Sequence, residues 1–147
     1  MKSLAVRTRS KEEFSDITDL VLQAISESGI VSGLCLVYVP HTTAGVTLNE
    51  NADPSVKSDL LMALRSSVPD SHPYRHSEGN SPAHVKATLI GSSVCLIVEN
   101  RVPVLGTWQG IFFCEFDGPR NRKIFVKTMS DANINPSGMG PGDNFHE

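Results

Sequence analysis

The sequence predicts an α+β fold: a β-rich, antiparallel, sandwich-like domain with two helices in its N-terminal half. Two stretches with helical apolar spacing precede residue 70, and a series of short apolar runs separated by turn residues follows residue 83. The connections between those late runs are too short for crossover helices, which excludes a doubly wound parallel sheet.

Residues 3–8 set Leu4 and Val6 against Ser3, Ala5 and Arg7, the alternation of a strand with one solvated face. Ile17, Leu20, Val21, Ala24, Ile25 and Ser28 then share one helical face, and Gly29 is placed to end that helix. Two starts compete for it: a capping box of Ser10 with Glu13, or Thr18 as the cap after a short returning strand from Glu13 to Ile17. The second is preferred. Residues 33–39 are apolar on both faces, as in a central strand, and residues 44–48 follow the turn-prone Thr42-Thr43-Ala44-Gly45 as its partner.

Asp53-Pro54 supplies an N-cap and a first-turn proline. Val56, Leu60 and Leu64, with Leu61 and Val68 beside them, give that helix a core-facing stripe ending near Ser66 or Ser67. Pro69–Pro82 has no periodicity, and Tyr74, Arg75, His76, Glu78 and Asn80 mark it as a binding loop. Strands are expected at Ala83–Ile90, Val94–Glu99, Val104–Thr107, Ile111–Phe116 and Arg122–Met129, with Ile111, Phe112, Phe113, Cys114 and Phe116 filling the sheet packing. Residues 1–129 thus form a single domain, and the polar, Gly/Pro-rich segment 130–147 is expected to be a flexible tail.

A net charge of −3 and a pI near 5.9 provide no basic footprint for nucleic acid. Three cysteines, Cys35, Cys95 and Cys114, each sit in an apolar run, which suits free thiols in a reducing cytoplasm better than disulfides. No apolar run approaches the roughly 20 residues of a membrane span, so a cytoplasmic, membrane-free protein is expected.

Chemistry concentrates in Pro40–Pro54, PHTTAGVTLNENADP. His41 ends an apolar strand, and if Gly45–Leu48 pairs beside that strand, His41 converges with the carboxylates of Glu50 and Asp53. His41, His76 and His84 form a trio able to close on one cation, set against the plainer reading of half-buried rings bonded to backbone; His72 and His146 read as solvated. Asp53 is explained by its cap alone, whereas Glu50 is not; together they suit Mg²⁺ and a diphosphate substrate. Trp108 either plugs a core or offers a flat ring to a ligand, with the Gln109 amide beside it. Burial of Glu115 would demand a partner. Arg75, Lys86, Arg120 and Arg122 could contact phosphate or simply solvate the surface. There is no P-loop, no dinucleotide-binding glycine pattern and no serine-hydrolase elbow.

Three motifs in order, HTTAGVTLNENADP, PYRHSEGNSPAHVKA and LGTWQGIFFCEFDGPR, resemble the YjbQ family over residues 2 to 129. The resemblance implies a compact β-rich α+β domain, a homotrimer, and a secondary thiamine-phosphate synthase activity that joins a pyrimidine diphosphate to a thiazole phosphate. The family's polar signature falls on His41, Thr43, Asn49, Glu50, Asn51, Asp53, His76, Glu78, Asn80, His84, Trp108 and Gln109.

On this footing His41, Glu50 and His84 are candidate catalytic residues, and Thr43, Asn49, Asn51, Asn80, Trp108 and Gln109 are candidate contacts to a small phosphorylated heterocycle. His41, His76, His84, Glu50 and Asp53 are the candidate ligands of a divalent ion, Mg²⁺ or Zn²⁺. The chain departs from the family at Asn100-Arg101, where a glycine commonly follows the asparagine. A zinc-type hydrolase with Glu50 as general base and a trimeric binding protein without catalysis are the alternatives.

Overall fold

Strand β3 (Gly33–Tyr38) buries Gly33, Cys35 and Val37 and exposes Leu34, Leu36 and Tyr38, so its period of two gives the sheet an inner and an outer face. The computed structural model describes residues 1–131. β3 lies at the centre of a five-stranded sheet, antiparallel to β8 (Asn121–Ser130) on one side and β5 (Ser93–Glu99) on the other. β1 (Lys2–Arg7) and the short β6 (Val102–Pro103) close the two edges. A second, three-stranded sheet runs β2 (Glu13–Asp16), β7 (Gln109–Glu115), β4 (Ala44–Glu50).

The two sheets pack through Cys35, Val37, Val46, Val98, Ile111, Phe113, Ile124 and Val126, joined by Val21 and Ile25 of helix α1 (Thr18–Ser28). The other face of the small sheet carries Phe14, Phe112, Cys114 and Phe116, covered by helices α2 (Pro54–Ser67) and α3 (Ser81–Ile90) through Leu60, Leu61, Leu64, Ala83 and Ala87. β7 is therefore buried on both sides, which is why its sequence is apolar without alternation. The fold is the expected α+β sandwich. Among the described residues, no helix is long and apolar enough to cross a membrane.

Local signals explain most boundaries. Asp53 accepts the Ser55 N–H at 2.9 Å and caps α2, with Pro54 in its first turn. Gly29, at φ 73°, ends α1 in the left-handed conformation. The short returning strand before α1 is present, but Ile17 and not Thr18 stands at the cap position; Thr18 is the first residue of α1, and its N–H and hydroxyl bond back to Asp16. Glu13 caps no helix: its carboxylate takes the Arg9 and Ser10 amides in the turn before β2.

Three expectations are corrected. Ala83–Ile90 is helix, not strand: its apolar residues do alternate, but Lys86 is buried against Glu12 at 3.3 Å while Val85 and Leu89 face solvent. Pro82 in the first turn begins this third helix, and a contact inside the structure inverts the pattern that alternation suggested. β4 does not pair beside β3; it pairs with β7 in the other sheet. Val104–Thr107 is not a strand: the short β6 is Val102–Pro103, and the chain leaves the sheet after it. Of the expected tail, Ser130 ends β8 and Asp131 donates its N–H to Ser32, and the rest lies outside the described residues.

Candidate functional site

The functional cleft lies where the chain crosses from one sheet to the other, at Pro40-His41-Thr42-Thr43 between β3 and β4. Its floor is built by strand alternation. Glu115 shares the inward side of β7 with Ile111 and Phe113, and Arg122 shares that of β8 with Ile124 and Val126. Both are buried, and they meet with Nη2 to Oε2 at 2.6 Å and Nε to Oε1 at 2.9 Å. Thr8 donates to Glu115 at 2.7 Å, and Arg122 Nη2 donates to the Thr43 hydroxyl at 2.8 Å. With Nε and Nη2 engaged, Nη1 is the part of the guanidinium left to line the cleft.

The wall is α3. Its C-terminal end is tied to the sandwich by Val46 N–H to Gly91 at 3.1 Å and Val39 N–H to Ser92 at 2.8 Å. A side chain at Gly45 would meet the Gly91 carbonyl at 2.6 Å, so a glycine is needed for this approach. The helix thereby places His84 on the same cleft as His41, and both line two adjoining lobes of ≈ 460 Å³ and ≈ 420 Å³. The second lobe also has Thr43, His76, Asn80, Arg120 and Arg122 on its walls.

His41 Nε2 stands 3.0 Å from the backbone N of Lys123. Nε2 also lies 3.2 Å from the Lys123 carbonyl, so it accepts from the Lys123 N–H when the neutral ring carries its proton on Nδ1 and donates to the carbonyl when it carries it on Nε2. Burial lowers the His41 pKa, and the Arg122 charge lowers it further, against smaller opposing effects from the Lys123 backbone and Glu115. The His76 and His84 rings stand edge to face at 5.2 Å, with His76 3.9 Å from Glu78. Asp117 accepts from Asn80 and Arg120, each at 2.9 Å; burial alone would raise its pKa, but these bonds hold it below the ordinary carboxylate range.

The remaining sequence-derived candidates form a separate cluster. β4 carries the chain from Ala44 to Glu50, roughly 20 Å at ~3.3 Å per residue. Glu50 and Asn49 therefore sit at the far end, opposite Gln109 and Gly110. Asn49 accepts the Glu50 N–H at 2.7 Å, Asn51 donates to Asp16 at 3.3 Å, and Gln109 staples its own turn by accepting the Gly106 N–H at 2.8 Å. Trp108 is 62% exposed and plugs no core. The convergence of His41 with Glu50 and Asp53 does not occur within one chain.

The same separation bears on a metal. Among the described residues, no group of three or more His, Cys, Asp or Glu is placed to hold one. His41 Nε2 is occupied by backbone, and Asp53, held below the usual carboxylate range by the Ser55 N–H and hydroxyl, is spent on its cap. The donor set in one chain does not fit a resident divalent ion. Thiol chemistry is unsupported as well: burial, helped by Cys95, pushes the Cys35 thiol up to about 11, and burial raises Cys114.

The structure adds Asp117 and draws Glu115, Arg120 and Arg122, each weighed singly in the sequence, into one site. The signal for the first pair was in the sequence: each is a single charge in a run of inward apolar residues, and two such charges need each other.

A family model described as UPF0047 protein YjbQ-like matches residues 2–131. A UPF0047 protein of Methanocaldococcus jannaschii is 52% identical over 126 residues, covering 86% of this chain and 91% of that one. The UPF0047 protein YugU of Bacillus subtilis is 51% identical over 130 residues, covering 88% and 98%. Among solved structures, an uncharacterized YjbQ/UPF0047 protein of Clostridium acetobutylicum superposes with a TM-score of 0.86 at 52% identity, covering 88% of this chain and all of that one. A protein of unknown function from Sulfolobus solfataricus gives 0.85 at 35% identity, covering 88% and 96%.

Proposed function

The chain belongs to the UPF0047 YjbQ-like family, and from that premise we propose that it is a transferase of the thiamine-phosphate synthase type, joining a pyrimidine diphosphate to a thiazole phosphate with release of diphosphate. The observation that carries this reading is the lobe of ≈ 420 Å³ lined by His41, Thr43, His84, Arg120 and Arg122, polar groups that meet a diphosphate once Arg120 exchanges Asp117 for it, with Glu78 in the same wall. The thiazole nitrogen's lone pair forms the new C–N bond at the exocyclic carbon of the pyrimidine. The C–O bond to diphosphate breaks with its electron pair leaving on oxygen, so negative charge grows where the arginines stand. Neutral His41 donates from Nδ1, and His84 faces it across the reacting carbon. No metal is needed for the charge to balance in this scheme.

The test is product formation by the purified protein from the two phosphorylated substrates. Turnover that falls by 100-fold or more in His84→Ala, with folding intact, supports the reading. No product from the wild-type protein overturns it, and diphosphate binding without turnover moves the assignment to a binding protein.

We propose further that the protein works as a homotrimer. The outer face of the five-stranded sheet exposes Leu34, Leu36, Tyr38, Ile97 and Met129, a contiguous apolar patch that an isolated domain would leave in water. An assembly that set the Glu50, Trp108 and Gln109 cluster of one copy against the cleft of the next would unite the two groups of candidates. Light scattering on the purified protein reads the mass directly.

A further inference from the structure

Two guanidiniums line the ≈ 420 Å³ lobe, and they are held in different ways. Arg122 is buried and locked: Glu115 takes Nε and Nη2, Thr43 takes the other Nη2 hydrogen, and Nη1 alone is left for a ligand. The Arg120 side chain is 53% exposed, and one residue holds it, Asp117. Nε donates to the Asp117 carbonyl at 2.7 Å, and Nη2 donates to Asp117 Oδ2 at 2.9 Å. Those are two neighbouring N–H groups of the kind with which a guanidinium grips two oxygens of a phosphate. Asp117 therefore covers, from within the chain, an edge of Arg120 that suits a diphosphate.

Exchanging one anion for the other requires movement of a side chain only. The backbone around the pair is pinned by Phe116 N–H to the Thr43 carbonyl at 3.1 Å, Gly118 N–H to the Lys11 carbonyl at 2.9 Å and Thr8 N–H to the Arg120 carbonyl at 3.0 Å. Asp117 stays behind, because Oδ2 also accepts from Asn80 Nδ2 at 2.9 Å and its N–H donates to Glu115 at 3.3 Å. An ion pair across three positions with one partner in solvent is weakly held, so a multiply charged anion can displace the carboxylate. Once displaced, Asp117 is an unpaired carboxylate in the wall of the lobe, with Glu78 in the same wall, and it opposes the anion that took its place.

We infer that Asp117 is an internal competitor of the ligand's diphosphate for Arg120, limiting the affinity of the lobe and speeding the release of diphosphate from it. The inference rests on the reading of this lobe as a diphosphate site and adds its regulation; it does not depend on the transfer step.

The experiment is a calorimetric titration of the full chain with inorganic diphosphate, for the wild type, Asp117→Asn, Arg120→Met and the double variant. Asp117→Asn keeps an oxygen for Asn80 but removes the charge, and it is expected to bind diphosphate about tenfold more tightly than the wild type. Arg120→Met is expected to bind more weakly, and on that background Asp117→Asn loses most of its gain, because the competitor no longer has anything to compete for. Weaker binding by Asp117→Asn overturns the proposal, since Asp117 would then hold Arg120 in place for the ligand. Equal affinity overturns it as well, and so does the same gain with and without Arg120, which simple repulsion would give. Should Asp117→Asn fail to fold, NMR of the wild-type protein gives an independent reading: saturating diphosphate is expected to move the Arg120 Nε–H resonance, and a resonance that stays in place overturns the exchange. A wild-type protein that binds no diphosphate overturns this inference and the reading of the lobe together, whereas diphosphate binding without product formation removes the transferase alone.

Discussion

Glu115 and Arg122 come from different sheets and meet in a two-point ion pair at 2.6 and 2.9 Å that closes one end of the sandwich. The Phe116 and Asp117 amides also donate to the Glu115 carboxylate, at 3.2 and 3.3 Å, so its remaining lone pairs are satisfied. Such a pair is retained because breaking one half strands a charge. Glu115→Leu or Arg122→Met is therefore expected to lower stability by about 3–5 kcal/mol. The double replacement Glu115→Leu/Arg122→Met should cost much less than the sum. Urea unfolding of the four proteins makes the comparison; additive losses would mean that the two residues act separately.

His41 makes a pH prediction with a definite sign. Its folded pKa lies below the ordinary value of 6.5, first through burial and then through Arg122. The folded state thus binds fewer protons than the unfolded chain as pH falls below that value, and stability contributed by the neutral ring is present above it and lost as pH drops through the folded pKa. Protonation of the ring that carries its hydrogen on Nδ1 also converts Nε2 from acceptor to donor, exchanging the Lys123 N–H for the Lys123 carbonyl 3.2 Å away. The His41 ring signals should titrate below the ordinary value of 6.5, and His41→Asn should flatten the acid limb of the stability curve.

Whether these elements were readable in the sequence depended on whether a local signal agreed with its surroundings. Asp53-Pro54 announced α2, Gly29 ended α1, and the apolar run of β7 reported burial on both faces. Ala83–Ile90 misled because its alternation holds only if Lys86 is solvated, and its partner Glu12 lies 74 positions earlier in the chain. His41 and His84 line the same cleft, His84 from a helix and not from the strand that the sequence suggested. Glu50 could not be placed from sequence because nothing local says which sheet β4 joins, and that choice sends it to the other end of the strand. Arg122 stayed undecided between a phosphate contact and the surface for a related reason: a lone cation reads as surface until its counter-charge in another strand is known.

Asn100 and Arg101 form the two-residue turn between β5 and β6 with φ of 50° and 70°. Both positive values are those of the hairpin turn that favours Asn-Gly, so Arg101 holds a conformation that costs a non-glycine residue about 1 kcal/mol or more. Glycine would relieve that strain and give back part of the gain as unfolded-chain entropy. Arg101→Gly is expected to raise stability by about 0.5 kcal/mol, seen as a higher urea midpoint with an unchanged slope. The Arg101 N–H bond to Val31 at 2.9 Å is a backbone contact and survives the change. A lower midpoint would show that the side chain contributes more than its strained backbone costs.

The roughly 20 Å along β4 between the cleft and Glu50 supplies the sharpest test of the assembly. If one copy's Glu50 and Trp108 act on its neighbour's cleft, His84→Ala and Glu50→Gln each inactivate every boundary of their own homotrimers, while a mixed trimer restores some. With equal random mixing, a boundary works only where an intact cleft meets an intact Glu50, which is roughly a quarter of them. Co-expressing the two inactive variants should therefore recover about a quarter of wild-type turnover. Activity no higher than that of the separate variants would mean that the two clusters do not share a site across the boundary. Full activity of the Glu50→Gln homotrimer would remove Glu50 from the chemistry and leave the reaction to the histidine and arginine cleft alone.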